Sequence, residues 1–369
     1  MRMRVLVVLG TRPEAIKLAP VIEAMRADPE IEPVLVSTGQ HREMVATALD
    51  WFGITPDHDL AIMTPNQTLT DVVTQSMKGL DALILERKPD AVVAQGDTAT
   101  VFAAALSAFH RQIPFGHVEA GLRTYDLEHP FPEEGYRQLV SRITRWHFCP
   151  TERAATAVRD EKGQGIVHIV GNTVVDALLS TAERVKKTAG AARDRRYVLI
   201  TGHRRENHGA AFDALFGALA RLAEMNPDVD FIYPVHLNPN VQKAARAHLG
   251  GKENIQLTEP VSYPEIVRLM LGAAVICTDS GGIQEEAPSF GVPVLVMRQT
   301  TERQEAVDAG VCELVGNNPE RMVERAHELL AYPERFTARD TPNPFGDGLA
   351  SKRICDVLTA RDYISFRSQ

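Results

Sequence analysis

Short apolar runs alternate with helix-length amphipathic segments along the whole chain, and the series is run twice. Residues 5–9, 34–38, 91–94, 114–118, 147–149 and 167–170 read as strands of a first half. The segments 13–26, 41–52, 69–87 and 98–110 lie between them, with Pro, Thr or Asp near their starts, and read as helices. After a weakly apolar, basic stretch at 184–196, a second set of strands is expected at 197–201, 230–234, 254–257, 275–277 and 292–297. Such alternation implies right-handed βαβ units and parallel sheets. The expected fold is therefore α/β, two Rossmann-like domains with a central cleft onto which the C-terminal ends of both sets of strands face. A length of 369 residues suits two such domains, each with its own core. The boundaries expected are 1–170 and 171–349, with Gly171-Asn172-Thr173 as the crossing and a helical tail, 350–369, packing back on the first domain.

Composition narrows the function classes. The net charge of −8 argues against general nucleic-acid or membrane-surface binding, so any anion site must be built locally from turns and a few placed cations. Cys149, Cys277, Cys312 and Cys355 are widely spread, with no CxxC pair, and read as small buried thiols in a reducing, cytoplasmic setting. The opening Met-Arg-Met-Arg-Val-Leu-Val-Val-Leu has only a five-residue apolar run before Gly10 and reads as a first core strand rather than a signal peptide. The twelve histidines show no HxH or HExxH arrangement, so no metal site is expected.

Polar residues cluster just after the expected strands. Thr278-Asp279-Ser280-Gly281-Gly282 follows one apolar run and leads into a plausible helix start. Bare backbone N–H groups at such a turn form an anion site suited to a diphosphate, and Glu285 and Glu286 follow where a carboxylate can meet a ribose; a plain packing turn would use the same glycines. After the first strand comes Gly10-Thr11-Arg12-Pro13-Glu14-Ala15-Ile16-Lys17. A guanidinium at a helix N-terminus is unfavourable unless an anion sits there, the alternative being a solvated surface pair. Asp97 in Gln95-Gly96-Asp97-Thr98 is a candidate acid/base, or simply a helix cap. His117-Val118-Glu119 places an ionisable pair at a strand end, and Pro132-Glu133-Glu134-Gly135-Tyr136-Arg137 enters a helix with acidic residues. Carboxylates at three separate loops facing one cleft are the raw material of acid/base chemistry. The second half supplies His203, Arg204 and Asn207 in one string, His236 in another, and Arg303 after the last main strand; a lone histidine can equally be structural.

The strings QGDTAT, GHVEAGLRT, FPEEGYR, TGHRREN, PVHLNPNV, DSGGIQEEAPSFGVPVLVMR and TTERQEAVDAG, in this order, closely resemble the non-hydrolysing UDP-N-acetylglucosamine 2-epimerase family. The resemblance runs from Gly10 to Ile354. It implies the glycosyltransferase-B type of two-domain fold, a UDP-sugar substrate, no cofactor and a homodimer. By matching motif, Arg12, His203, Ser280, Gly281 and Gly282 would hold the diphosphate, Glu286 the uridine ribose and Arg303 the sugar side. Asp97, Glu119, Glu133 and His203 match the catalytic set, with Lys17 and Arg137 in support and Asn207 and His236 in the substrate-binding set.

The substrate constrains the chemistry. The C2–H of a UDP-sugar is not acidic, because C1 is an acetal carbon. Inversion at C2 therefore needs oxidation by a nicotinamide or departure of the C1 leaving group. The chain has no GxGxxG dinucleotide turn, which favours elimination of UDP to a 2-acetamidoglucal and re-addition. Some bacterial relatives also bind a second UDP-N-acetylglucosamine as an activator. Gln40, Arg204 and His236 match that second site, but Glu43 and Asn66 stand where those relatives carry Gln and Arg, so weak or absent activation is expected. The alternatives are a related epimerase of a UDP-2,3-diacetamido sugar, a hydrolysing 2-epimerase, a retaining glycosyltransferase and a catalytically dead sugar-nucleotide sensor.

Overall fold

The computed structural model describes residues 2–188, 193–202, 210–235, 238–316 and 318–367. His203, Arg204, Asn207 and His236 lie outside the described residues. The chain divides into two compact units: unit 1 is Met1–Ala177 with Phe345–Gln369, and unit 2 is Leu178–Pro344.

Unit 1 carries β1 (Met3–Leu9), α1 (Arg12–Ala27), β2 (Ile31–Ser37), α2 (Arg42–Trp51), β3 (His58–Asp59), α3 (Leu69–Arg87), β4 (Ala91–Gln95), α4 (Ala99–His110), β5 (Phe115–Val118), α5 (Glu133–Ile143), β6 (Trp146–Cys149), α6 (Glu152–Asp160) and β7 (Ile166–Ile169). These strands form a parallel seven-stranded sheet in the order β3-β2-β1-β4-β5-β6-β7. The central strands are apolar without alternation, as burial of both faces of a parallel sheet requires: Val5 to Leu9 are all inaccessible to solvent. Helix α7 (Thr173–Thr188) leads out of unit 1. Unit 2 then repeats the plan with β8 (Tyr197–Thr201), α8 (Ala210–Met225), β9 (Asp230–Pro234), α9 (Pro239–Leu249), β10 (Ile255–Thr258), α10 (Tyr263–Gly272), β11 (Val275–Thr278), α11 (Gly281–Glu286), β12 (Val294–Val296), α12 (Gln304–Asp308), β13 (Cys312–Leu314) and α13 (Pro319–Ala331). Its parallel sheet runs β10-β9-β8-β11-β12-β13 over a core that includes Phe216, Phe231, Tyr233 and Leu295. Both units are thus Rossmann-like and the α/β class holds. Helix α14 (Ala350–Leu358) returns the chain to unit 1.

Three features depart from expectation. β3 and β13 are only two and three residues long, too short to give a periodic signal. The segment 173–188 is helical and contains the division between the units, at Ala177/Leu178 rather than at Gly171. The tail is helical only to Leu358, because Ala360 takes a left-handed φ of 54° that ends the helix. Beyond it the Phe366 amide donates to the Ile169 carbonyl at 2.9 Å, so the chain at Phe366 lies alongside β7 instead of continuing α14. The start of α14 is fixed by Asp176, whose carboxylate accepts the amides of Ala350 (3.3 Å) and Ser351 (2.8 Å) at the positive end of the helix.

The loop after β5 fits tightly over α6. Gly121 has a φ of +94°, and a Cβ there would stand 2.1 Å from the Ala154 carbonyl oxygen. Gly121→Ala is expected to destabilise unit 1 by ~2–4 kcal/mol, from left-handed strain plus a backbone clash. Urea unfolding measures this, and an unchanged midpoint would show that the loop is not packed as described.

Candidate active site

Strand order in each sheet reverses once, between β1 and β4 in unit 1 and between β8 and β11 in unit 2. The turns after those strands splay apart and leave the crevice in which open α/β sheets bind ligands. Arg12, Asp97, Ser280, Gly281 and Gly282 fall at these turns and Glu119 at the end of β5, while Glu133 and Arg137 lie on α5, Glu286 ends α11 and Arg303 follows β12.

Glu119 follows β5 directly and holds a left-handed φ of 65°. A non-glycine residue is strained there, and such strain persists only when surrounding contacts fix it. Lys17 Nζ, one turn into α1, lies 2.5 Å from Glu119 Oε1. Asn172 Nδ2 donates to the same oxygen at 3.2 Å, and Gln95 Nε2, from the end of β4, donates to Oε2. Both carboxylate oxygens are therefore held, by donors from three different segments. His117, two residues before, points elsewhere: its Nε2–H donates to the Gly96 carbonyl at 2.7 Å, and burial lowers its pKa to about 4. It is neutral near pH 7 and unsuited to carrying a proton.

Asp97 does not cap α4; Thr98 does, its hydroxyl accepting from the Val101 amide at 3.4 Å. Asp97 Oδ2 instead receives Arg137 Nε at 2.9 Å and Nη2 at 2.8 Å. Arg137 also donates through Nη1 to Glu134 Oε2 at 3.2 Å. Burial pushes the Glu134 carboxyl up, but hydrogen bonds from Gln138, the Thr124 amide, Arg137 and the Tyr125 amide outweigh it and hold the carboxyl below its ordinary range. Arg137 is thus a bridge between a buried structural carboxylate and a half-exposed candidate acid/base. Glu133 is the first residue of α5, half-buried, with no hydrogen bond or ion pair among the described residues.

Glu14 was not singled out from the sequence, yet it ties the first two turns together. Its Oε2 accepts the amides of Gly10 (2.6 Å) and Thr11 (2.9 Å), and its Oε1 accepts the Thr98 hydroxyl. This braces the turn that carries Arg12, the first residue of α1, against the turn that carries Asp97. Only 2% of Glu14 is exposed.

In unit 2 the Thr201 and Thr278 hydroxyls, at the ends of β8 and β11, lie 2.6 Å apart, and Thr278 Oγ1 accepts the Ser280 amide at 3.0 Å. α11 then begins at Gly281 with Ser280 as its N-cap. A Cβ on Gly281 would approach Arg303 Cζ to 3.0 Å, so the bare backbone lets the guanidinium pack against the turn. Arg303 is held there by Glu285 (2.9 Å) and Glu302 (2.6 Å). Glu286 accepts the Tyr263 hydroxyl at 2.9 Å, and Gln284 bonds the Ser280 carbonyl (3.1 Å) and the Thr301 hydroxyl (2.6 Å). Ser280, Gly281 and Gly282 thus form the turn into α11, Glu286 ends that helix, and Arg303 packs against the turn from the N-cap of α12. Of the second-site residues, Gln40 Oε1 accepts the Thr100 hydroxyl at 3.2 Å, and Glu43 is exposed on α2.

Sequence reasoning missed Gln95, Glu14, Glu134, Tyr263 and Glu285 as partners of the candidates. All but Tyr263 lie inside the motif strings, but only the fold shows which side chain each one meets. All four cysteines are buried, and burial pushes their thiols up to about 12.

Burial raises the Glu14 carboxyl from 4.5 to about 7, against the hydrogen bonds from Thr98, Gly10 and Thr11, and the nearby Asp97 adds to the rise. The folded state thus holds a proton in a window, 4.5 to about 7, where the unfolded chain has released it. Stability should fall as pH rises through that window, by about 3 kcal/mol. Glu14→Gln mimics the protonated form and should remove most of this slope. Urea midpoints at about pH 5 and 7.5 test it, and equal slopes for both proteins would mean that Glu14 is ionised when folded.

A profile of the UDP-N-acetylglucosamine 2-epimerase family matches residues 23–359. The UDP-N-acetylglucosamine 2-epimerase of Escherichia coli (strain K12) is 46% identical over 369 residues, 96% of this chain and 98% of the relative. The crystal structure of the UDP-GlcNAc 2-epimerase from Neisseria meningitidis bound to UDP-GlcNAc is similar with a TM-score of 0.89 and 44% identity, covering 97% of this chain and 100% of that one. The Methanocaldococcus jannaschii UDP-GlcNAc 2-epimerase, in complex with UDP-GlcNAc and UDP, gives a TM-score of 0.81 at 33% identity over 97% of this chain and 100% of that one. The likeness extends over both Rossmann-like units, as the glycosyltransferase-B type of fold requires. The chain belongs to the UDP-N-acetylglucosamine 2-epimerase family.

Proposed function

We propose that this protein interconverts UDP-N-acetylglucosamine and UDP-N-acetylmannosamine by inversion at C2. The observation that carries the reading beyond family membership is the Glu119 carboxylate, held by Lys17, Gln95 and Asn172 in a strained backbone conformation at a strand end. In the reaction one carboxylate takes the C2 proton while the C1–O bond breaks, and its electron pair leaves with UDP. The product is a 2-acetamidoglucal with a C1=C2 double bond. UDP then attacks C1 again while a proton is delivered to the other face of C2. Two faces call for two acid/base groups, and Glu119, Asp97 and Glu133 are the candidates, with His203 as a fourth. Ser280, Gly281 and Gly282 would hold the diphosphate, with Arg12 in support, and Glu286 the ribose. Donors around the departing UDP would stabilise its charge, each worth about 10²–10³ in rate.

The reading also includes a homodimer, a cytoplasmic location supported by four buried thiols, and no obligatory second-site activator. Among the described residues no helix is long and apolar enough to cross a membrane. Exposed Glu43 would put an anion beside any second diphosphate, which favours hyperbolic over sigmoidal kinetics. Sigmoidal rate curves that vanish in Gln40→Ala would refute this last point.

Purified protein should convert UDP-N-acetylglucosamine to UDP-N-acetylmannosamine without added nicotinamide, as followed by proton and phosphorus NMR. Glu119→Gln should lower kcat by at least about 10²-fold, the usual contribution of a positioned acid/base. Release of free UDP and N-acetylmannosamine would instead indicate the hydrolysing reaction. An unchanged substrate would favour a modified sugar or a sensor.

A further inference from the structure

The chain passes between the two units at Ala177/Leu178 and again at Pro344/Phe345. Within unit 1 the approaches to both crossings meet at one residue, Asn172. Its backbone N–H donates to the Phe345 carbonyl at 2.7 Å, which joins the outgoing and returning segments. Its Oδ1 accepts the Val174 amide at 3.1 Å, in the first turn of α7. Its Nδ2 donates to Glu119 Oε1 at 3.2 Å. Only 2% of the residue is exposed.

These contacts use the asparagine amide in a way few side chains can match. An acceptor is needed for the helix and a donor for the carboxylate, from one short group, and the two ends of an amide provide both. Asp would serve the helix equally well but has no proton for Glu119. Ser would serve it too, with a shorter side chain. We propose that Asn172 is a positioning residue for Glu119, locking the carboxylate in one orientation and tying it to both segments by which the chain leaves and re-enters unit 1. This rests on Glu119 being a group that exchanges the C2 proton. The other charged neighbour, Lys17, fixes the same oxygen from α1. Lys17 and Gln95 reach the carboxylate at the ends of longer side chains, whereas Asn172 is short and is itself tied to packed backbone by its N–H and its Oδ1.

Asn172→Ser and Asn172→Asp separate this role from a merely structural one, because both keep an acceptor for the start of α7. In the full-length protein each should lower kcat for UDP-N-acetylglucosamine by about tenfold or more, with Asp the worse since it places a second carboxylate against Glu119. KM and UDP affinity by calorimetry should stay close to wild type in both variants, and the thermal midpoint should stay close in Asn172→Ser, whereas Asn172→Asp should also lose stability because it sets two carboxylates in buried contact. Variants with wild-type kcat would overturn the proposal. So would a loss of kcat in Asn172→Ser that comes with an equal loss of UDP affinity or of thermal stability, since Asn172 would then be holding the fold. If the wild-type protein itself leaves UDP-N-acetylglucosamine unchanged, the functional reading fails and this role falls with it. If the wild type turns over and the variants match it, only the positioning role is wrong.

Discussion

Every strand in both sheets runs parallel to its neighbours, and this single constraint places all the polar turns of a unit at one edge. A parallel strand must be followed by a crossover, so its C-terminal end always opens into a turn that has no sheet partner to satisfy. In unit 1 the turns after β1, β4 and β5 bring Arg12, Asp97 and Glu119 to that edge. In unit 2 the turns after β8, β11 and β12 do the same for Gly202, Ser280 and Arg303. Register matters to the site: Glu119 at the end of β5 takes a donor from Gln95 at the end of the neighbouring β4, a contact that a shift of either strand would break.

What organises the row of polar turns into a candidate site is the way buried carboxyl groups hold the residues above them. Glu134 is fully buried, and its charge is met by Arg137, which then reaches Asp97. Glu14 lies beneath the turns of Arg12 and Asp97 and bonds both. Glu119 is gripped by one cation and two amides. Carboxyl groups held in this way would already be oriented for the proton transfers proposed above. Removing a partner from such a buried pair commonly costs ~3–5 kcal/mol, which makes the site and the stability of unit 1 hard to separate by crude substitution.

Much of the architecture was legible in the chain, because parallel strands buried on both faces leave unbroken apolar runs such as Val5-Leu6-Val7-Val8-Leu9. What escaped was set by length or by distant partners. β13 is three residues and carries no period, and the tail stops being helical at a left-handed Ala360 that no local pattern marks. The candidate acids Asp97, Glu119 and Glu133 were visible as ionisable residues at strand and helix ends. Their partners were not: Asn172 is 53 positions from Glu119, and Glu14 is 84 from Thr98. Asp97 looked equally like a helix cap, and only the placement of Thr98 and Arg137 decides against it.

The proposed inversion at C2 requires the C1–O bond to UDP to break and re-form. This is tested by labelling the oxygen that bridges C1 and the β-phosphorus of UDP-N-acetylglucosamine with ¹⁸O and following phosphorus NMR during epimerisation. Elimination frees the β-phosphate to rotate, so label should scramble into its non-bridging positions at a rate comparable to the appearance of UDP-N-acetylmannosamine. Inversion at C2 with the label fixed in the bridge would show that the bond never breaks, and the elimination mechanism would be wrong.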